Sequence, residues 1–330
     1  MSRKWMCILA VVGAAALAGA VVLPIPFDEW RTLASLKKVD DHPLYVMTFY
    51  GDYGFEEAQS QEVVGAREAA VASGAPGQLW ACTCFASLGK EADVLLGRNF
   101  DWYNHPALLL FTDPPQAYAS VSMVDIAYLG FDQQAPSWTG RRRLLLAPYL
   151  PFDGMNEQGL GVGMMAVPAA DSGYNPRLRT LDSLQVIRLL LDYAADVEEA
   201  VVLLEGCNID FGGGPPVHYL LADASGRSAV VEFVNGEMKV MRNIESWQVS
   251  TNFVISQAMP QGAGSECWRY NLAYDALAGA EGALTPSAAL DLLHSVSQPS
   301  TIWSLVYGLD SGDINVVMGR HYDNVHHLGL

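Results

Sequence analysis

Two apolar, strand-like runs, Ala86–Leu88 and Val94–Gly97, lie close enough in the chain to fold back on one another as the arms of a hairpin. Residues that carry chemistry sit at the outer ends of both arms. Cys82-Thr83-Cys84 precedes the first, and Gly97-Arg98-Asn99-Phe100-Asp101-Trp102 closes the second. Arg98 follows Cys82 by 16 positions and Asp101 by 19, so pairing the arms gathers all three. A cation beside a thiol favours thiolate, and a nearby carboxylate can orient a proton carrier. A lone cysteine is ordinarily an inert buried side chain. The company that Cys82 keeps makes it a candidate nucleophile.

The whole chain narrows the field. Its 330 residues can bury a sizeable core, and 51% apolar with 17% charged content excludes a disordered protein. A formal charge of −17 argues against nucleic-acid binding, which needs a cationic surface. The basic run Arg141-Arg142-Arg143 is short and reads as a solvated loop or strand end. Cys82-x-Cys84 has no second pair or histidine cluster at zinc spacing, so no metal is expected. Cys207 and Cys267 could pair as a disulfide, which sequence alone leaves open.

Residues 1–26 read as a targeting segment. Arg3 and Lys4 precede an apolar run from Met6 to Leu23, closed by Pro24-Ile25-Pro26, with Ala18-Gly19-Ala20 resembling a cleavage site. The run suits either a cleaved signal or a retained anchor, with membrane attachment through residues 6–23 in the second case. Both readings place the basic residues inside and the rest of the chain outside the cytoplasm.

Between this leader and Cys82 lies a segment, residues 27–81, with a strand at Leu44–Tyr50 and a helix at Gln59–Ser73, broken by Gly74-Ala75-Pro76-Gly77. Downstream, Val94–Phe100, Ala119–Tyr128, Leu144–Ala147 and Gly161–Val167 read as strands and Leu181–Tyr193 as a helix. Asp196 looks like the N-cap of another helix, which ends at Gly206. Val217–Ala222, Ala229–Val234 and Met238–Met241 form a meander turned by Asn235-Gly236, followed by a helix over Thr285–Val296 and strands at Thr301–Tyr307 and Ile314–Met318. Strands, then helices, then strands predict an α+β domain of packed antiparallel sheets with helices outside.

Several other features carry weaker signals. Gly212-Gly213-Gly214 precedes prolines and a strand instead of a helix, so it lacks phosphate-loop geometry. His218 alternates within a strand and reads as a satisfied core residue, while His321, His326 and His327 crowd the C-terminus. Asp153 and Glu157 flank a turn, where carboxylates are usually solvated or bonded to backbone amides. Trp102, Tyr103, Leu108–Phe111, Tyr128, Leu129 and Phe131 are either ordinary core or an acyl-chain pocket beside Asp101.

Cys82-Thr83 followed by Gly97-Arg98-Asn99-x-Asp101 resembles the choloylglycine hydrolase and acid ceramidase branch of the N-terminal-nucleophile hydrolases, which includes penicillin V acylases. Asn156-Glu157-Gln158-Gly159-Leu160 is similar to that family's Asn-Glu-x-Gly-Leu turn. His218-Tyr219 to Asp223 with Ser228 to Glu232 resembles its central hairpin, and Thr251-Asn252 and Arg269 resemble its later active-site positions. The resemblance implies a four-layer αββα sandwich over residues 82–330, with residues 27–81 as a prosegment. It implies self-cleavage between Ala81 and Cys82, Cys82 as nucleophile, and Arg98, Asp101, Asn252 and Arg269 as catalytic residues. Asn252 would bind the oxyanion, and Trp102, Tyr103, Phe111 and Met165 would contact substrate. The implied reaction is cofactor-free hydrolysis of an N-acyl amide: an N-acyl amino acid, N-acylethanolamine, bile-acid conjugate or penicillin V. The cleaved prosegment is a further expected partner. An acyltransferase and an unprocessed acyl-binding module on the same scaffold are the alternatives. One departure stands out: six residues past Leu160, where bile-salt hydrolases carry an oxyanion-hole asparagine, this chain has Ala166.

Overall fold

The computed structural model describes residues 26–55, 81–90, 92–102, 105–212, 214–258 and 266–330. The leader, the expected helix at Gln59–Ser73, Tyr103 and Gly213 lie outside the described residues. No helix among the described residues is long and apolar enough to cross a membrane.

Two large sheets form the centre. The first has nine strands, in the order β1 (Lys37–Asp40), β2 (Leu44–Phe49), β5 (Ala107–Thr112), β6 (Ser120–Asp125), β7 (Asp153–Asn156), β8 (Gly161–Ala166), β11 (Val217–Ala222), β12 (Ser228–Val234) and β13 (Glu237–Arg242). The second has six, in the order β14 (Trp247–Ser250), β3 (Thr83–Ser87), β4 (Leu95–Asp101), β15 (Thr301–Gly308), β16 (Asp313–Met318) and β17 (His326–Gly329). Neighbouring strands are antiparallel except β2 and β5, which run parallel. A small parallel pair, β9 (Arg179–Asp182) and β10 (Cys207–Asp210), stands apart.

Helices cover both outer faces. α2 (Ser183–Tyr193) packs on β7 and β8, with α3 (Val197–Glu205) beside it. α5 (Trp268–Gly279) and α6 (Pro286–Ser295) cover the six-stranded sheet. Strand parity explains the layering. In β3, Phe85 faces outward to Tyr270, Ala273 and Leu293, while Cys84 and Ala86 face the core between the sheets. Gly163 of β8 lets the sheets approach here, since a Cβ on it would lie 2.7 Å from Cys84 Sγ. The expected αββα sandwich is present.

Local chemistry sets most boundaries. Asp182 caps α2 through Leu184 N and Gln185 N, so the helix begins at Ser183 and Leu181 joins β9 instead. Asp196 caps α3 as expected, and Asn235 and Gly236 turn the β12–β13 hairpin with φ of 55° and 79°. Two expected strands are corrected. Leu144–Ala147 lies in a 3₁₀ helix, Gly140–Tyr149, because Pro148 has no N–H for a ladder. Leu144 and Ala147, three apart, share its buried face. The strand expected to reach Tyr128 stops at Asp125, which caps a short 3₁₀ turn at Ala127 N.

Residues 26–55 are built into this fold. The first helix, α1 (Phe27–Ser35), packs on β2, and β2 lies between β1 and β5. Leu44, Tyr45, Met47 and Phe49 are all buried. Burial of such side chains contributes roughly 1.5–3 kcal/mol each. Tyr53 donates to Asp192 Oδ1 of α2 at 2.5 Å.

Candidate active site

Register places the site. β3 pairs antiparallel with β14 so that Cys84 faces Ser250, and Asn252, two residues after Ser250, meets Cys82, two residues before Cys84. On the other side β3 pairs with β4, with Cys84 opposite Arg98 and Thr83 opposite Asn99. The hairpin inferred from sequence is therefore real, and β14 brings Asn252 to its open side.

Cys82 is held at both ends of its backbone. Its N–H donates to Asn252 Oδ1 at 2.6 Å, and its carbonyl accepts from Arg269 Nη1. Arg269 Nη1 also donates to Thr83 Oγ1 at 2.9 Å, and Nη2 to Asn252 Oδ1 at 3.1 Å. Arg269 reaches in from the second position of α5, buried despite its charge. Asn252 Nδ2 donates to the Ala166 carbonyl at 2.8 Å. The alanine that lacks a side-chain donor thus meets Asn252 through its backbone.

Arg98 is fully buried, and its partner is Asp153. Its Nε lies 3.1 Å from Asp153 Oδ2, and Asp153 is equally buried in β7. The contact is an ion pair without hydrogen-bond angles, and none of the three guanidinium nitrogens has a hydrogen-bond partner among the described residues. Tyr307 donates to Asp153 Oδ1 at 2.8 Å and Trp303 Nε1 to Oδ2 at 3.3 Å. The reading of Asp153 as a solvated or amide-bonded turn carboxylate is corrected: it is a buried counter-ion. Its signal in the sequence was a carboxylate inside the apolar run Leu150-Pro151-Phe152-Asp153-Gly154-Met155. Glu157 does bond a backbone amide, that of Ala119.

Burial decides the electrostatics of Cys82. Enclosure pushes its thiol up, the Asp101 charge adds to this, and Arg98, Arg269 and the Asp101 amide oppose it without winning. The expected thiolate is not favoured here. Cys84 behind it is pushed up to about 12 by burial. Asp101 is pushed up to about 7 by burial, against the Thr301 hydroxyl bond and the charges of Arg269 and Arg98. Its Oδ2 is buried without a hydrogen-bond partner among the described residues, so it can receive one more donor.

That elevated value has a consequence for stability. Between the usual 3.8 and about 7, the folded chain keeps a proton at Asp101 that the unfolded chain releases. The associated stability is complete below 3.8 and is lost as pH rises through about 7. The full swing is about 4 kcal/mol. Urea melts at pH 4.5 and 8 should show Asp101→Asn gaining on wild type as pH rises. Parallel pH dependences in the two proteins would remove the effect from Asp101.

The remaining candidates lie as follows. Trp102 follows β4, half-buried, and lines a cleft of about 190 Å³ with His42, Ser300, Thr301 and Gly319. Phe111 is half-buried in β5, and Met165 is fully buried in β8 opposite His218. Leu108, Leu109 and Leu110 are packed core. His218 is a satisfied core residue, bonded to Glu232, Ser250 and Thr251. No disulfide joins Cys207 and Cys267.

A two-sheet sandwich with a cysteine at the mouth of a central hairpin is the architecture of N-terminal-nucleophile amide hydrolases. Residues 82–255 match the model of the linear amide C–N hydrolases, choloylglycine hydrolase family. The chain belongs to that family, and it is a hydrolase of non-peptide C–N bonds in linear amides, acting on N-acyl substrates. Among solved structures, it resembles a conjugated bile acid hydrolase from Clostridium perfringens at TM-score 0.56 and 17% identity, over 76% of this chain and 92% of that one. It also resembles a penicillin V acylase from Agrobacterium tumefaciens at TM-score 0.53 and 21% identity, over 76% and 86% of the two chains. These likenesses support the fold.

Proposed function

We propose that this hydrolase is a self-processing cysteine amidase with Cys82 as its nucleophile. The observation that carries the reading is the double hold on Cys82, its nitrogen on Asn252 and its carbonyl on Arg269. Both partners are polar side chains, 170 and 187 positions away, so the two bonds gather Asn252 and the Arg269 guanidinium around the thiol. In the first step Cys82 Sγ attacks the Ala81 carbonyl, and the acyl group moves from nitrogen to sulfur. Water then cleaves the thioester, leaving a carboxylate on Ala81 and an amine on Cys82. A terminal amine has an unperturbed pKa of about 7.7–8.0, so it can accept the thiol proton near neutrality. Asp101 Oδ2 offers that amine a hydrogen-bond acceptor.

The processed residue then attacks the substrate carbonyl, the amine leaves with the proton, and water hydrolyses the acyl-thioester. Arg98 supplies a buried positive charge near the sulfur, and Asn252 donates to the developing oxyanion. The substrate class is an N-acyl amide, with bile-acid conjugates, penicillin V, N-acyl amino acids and N-acylethanolamines as the panel to test. Residues 27–55 stay bound after the cut, because their strands are part of the nine-stranded sheet. Export through the apolar leader completes the reading.

Asn252→Ala tests the site. Loss of an oxyanion donor lowers turnover by about 10²–10³. The variant should lose kcat by that factor with little change in KM, measured on whichever amide the panel identifies. A folded, processed Asn252→Ala protein with wild-type kcat would take Asn252 out of the chemistry.

A further inference from the structure

One buried ionisable pair takes no part in the steps above. His218 of β11 and Glu232 of β12 are directly opposite, one position beyond the Tyr219–Val231 pair, and each is 1% exposed. They belong to the nine-stranded sheet, yet their bonds cross to the other one. His218 Nε2 lies 2.7 Å from the Thr251 carbonyl and 3.0 Å from Ser250 Oγ. Its Nδ1 lies 3.2 Å from Glu232 Oε1. Glu232 in turn accepts from Ile255 N at 2.6 Å and Ser256 N at 3.0 Å, the first residues of α4 (Ile255–Ala258). The segment between these anchors, Thr251 to Val254, carries Asn252.

Elementary bonding makes this arrangement demanding. Both ring nitrogens of His218 are engaged by oxygen atoms, Nε2 by the Thr251 carbonyl and the Ser250 hydroxyl and Nδ1 by the Glu232 carboxylate. Glu232 also holds two backbone amides, Ile255 through Oε1 and Ser256 through Oε2. Burial raises the Glu232 carboxyl, but the bonds from His218 and Ser256 bring it below its usual value. A non-polar pair would fill the space without fixing the Thr251 carbonyl or the amides of Ile255 and Ser256.

We propose that the His218–Glu232 pair is a positioning element that clamps the Thr251–Ser256 turn from across the sandwich and thereby aims Asn252 at Cys82. The proposal rests on the roles given to Cys82 and Asn252 under the proposed function. Neither His218 nor Glu232 touches the substrate, and each acts through Asn252.

The test is a double-mutant cycle with a second readout that needs no substrate. His218→Leu should lower kcat by about 10²-fold with KM nearly unchanged, the loss typical of a catalytic group misplaced by an ångström. His218→Gln, which keeps a donor for the Thr251 carbonyl, should recover roughly tenfold of this. In an Asn252→Ala background both substitutions should cost less than about twofold, because the residue they position is gone. Equal losses in the two backgrounds would overturn the proposal. The second readout is the side-chain amide signal of Asn252 in protein labelled with ¹⁵N-asparagine, assigned by its absence in Asn252→Ala. That signal should shift or broaden in His218→Gln and in Glu232→Gln, and an unchanged signal in both folded variants would overturn the proposal even if His218→Leu does not fold. If wild type hydrolyses no acyl amide, the proposed function fails, while the amide signal still decides whether the pair positions Asn252.

Discussion

Cys82→Ala is expected to yield a chain that is never cut between Ala81 and Cys82 and hydrolyses no amide. The methyl group can neither accept the acyl group of Ala81 nor attack a substrate carbonyl, so both reactions lose their nucleophile together. Loss of a catalytic nucleophile lowers kcat by about 10⁶ in a well-studied serine protease, so activity should fall below detection. Folding should survive, because the Cys82 backbone supplies the bonds to Asn252 and Arg269 and remains in place. Gel mobility, thermal melting and turnover, measured together, check this. Normal cutting of the Cys82→Ala chain would assign processing to an outside protease.

Asp153→Ala should cause the largest loss of stability, about 3–5 kcal/mol. Arg98 has no exposed surface, and Asp153 is its only anionic contact among the described residues. Truncation leaves a buried, uncompensated charge and removes the acceptor of Tyr307 and Trp303. At about 2–4 °C per kcal/mol for a chain of this size, the melting point should drop by roughly 10 °C. Replacing both partners, as in Arg98→Leu with Asp153→Leu, should restore much of the stability but not the activity. Stability recovers because two apolar side chains need no counter-charge. A wild-type denaturation midpoint for Asp153→Ala would show that Arg98 is compensated by some other group.

Local features of the sequence were the legible ones. The Cys82–Asp101 hairpin, the Asn235-Gly236 turn and the Asp196 cap depend on neighbours a few residues apart, and all formed as expected. Asn252 and Arg269 were found through resemblance, since contacts spanning 170 and 187 positions leave no periodic trace. α5 escaped notice because apolar residues lie on both of its faces: Trp268, Leu272 and Tyr274 are exposed, while Tyr270, Ala273 and Leu277 are buried beside Arg269. Asp153 was misread for a related reason. The apolar run around it signals burial, but its counter-ion lies 55 positions away across the core, on Arg98. The protonation of Cys82 was also out of reach, because it depends on depth, and burial outweighed the neighbouring arginines.

The claim at the centre is that Cys82 becomes a chain terminus whose sulfur carries the acyl group. Intact-mass measurement of the purified protein, quenched in acid during turnover of an N-acyl amide, tests it directly. A chain beginning at Cys82 is expected, together with the same chain heavier by one acyl group. The added mass should vanish on treatment with hydroxylamine, which cleaves thioesters. An active protein whose only species is the uncut chain without an adduct would contradict it.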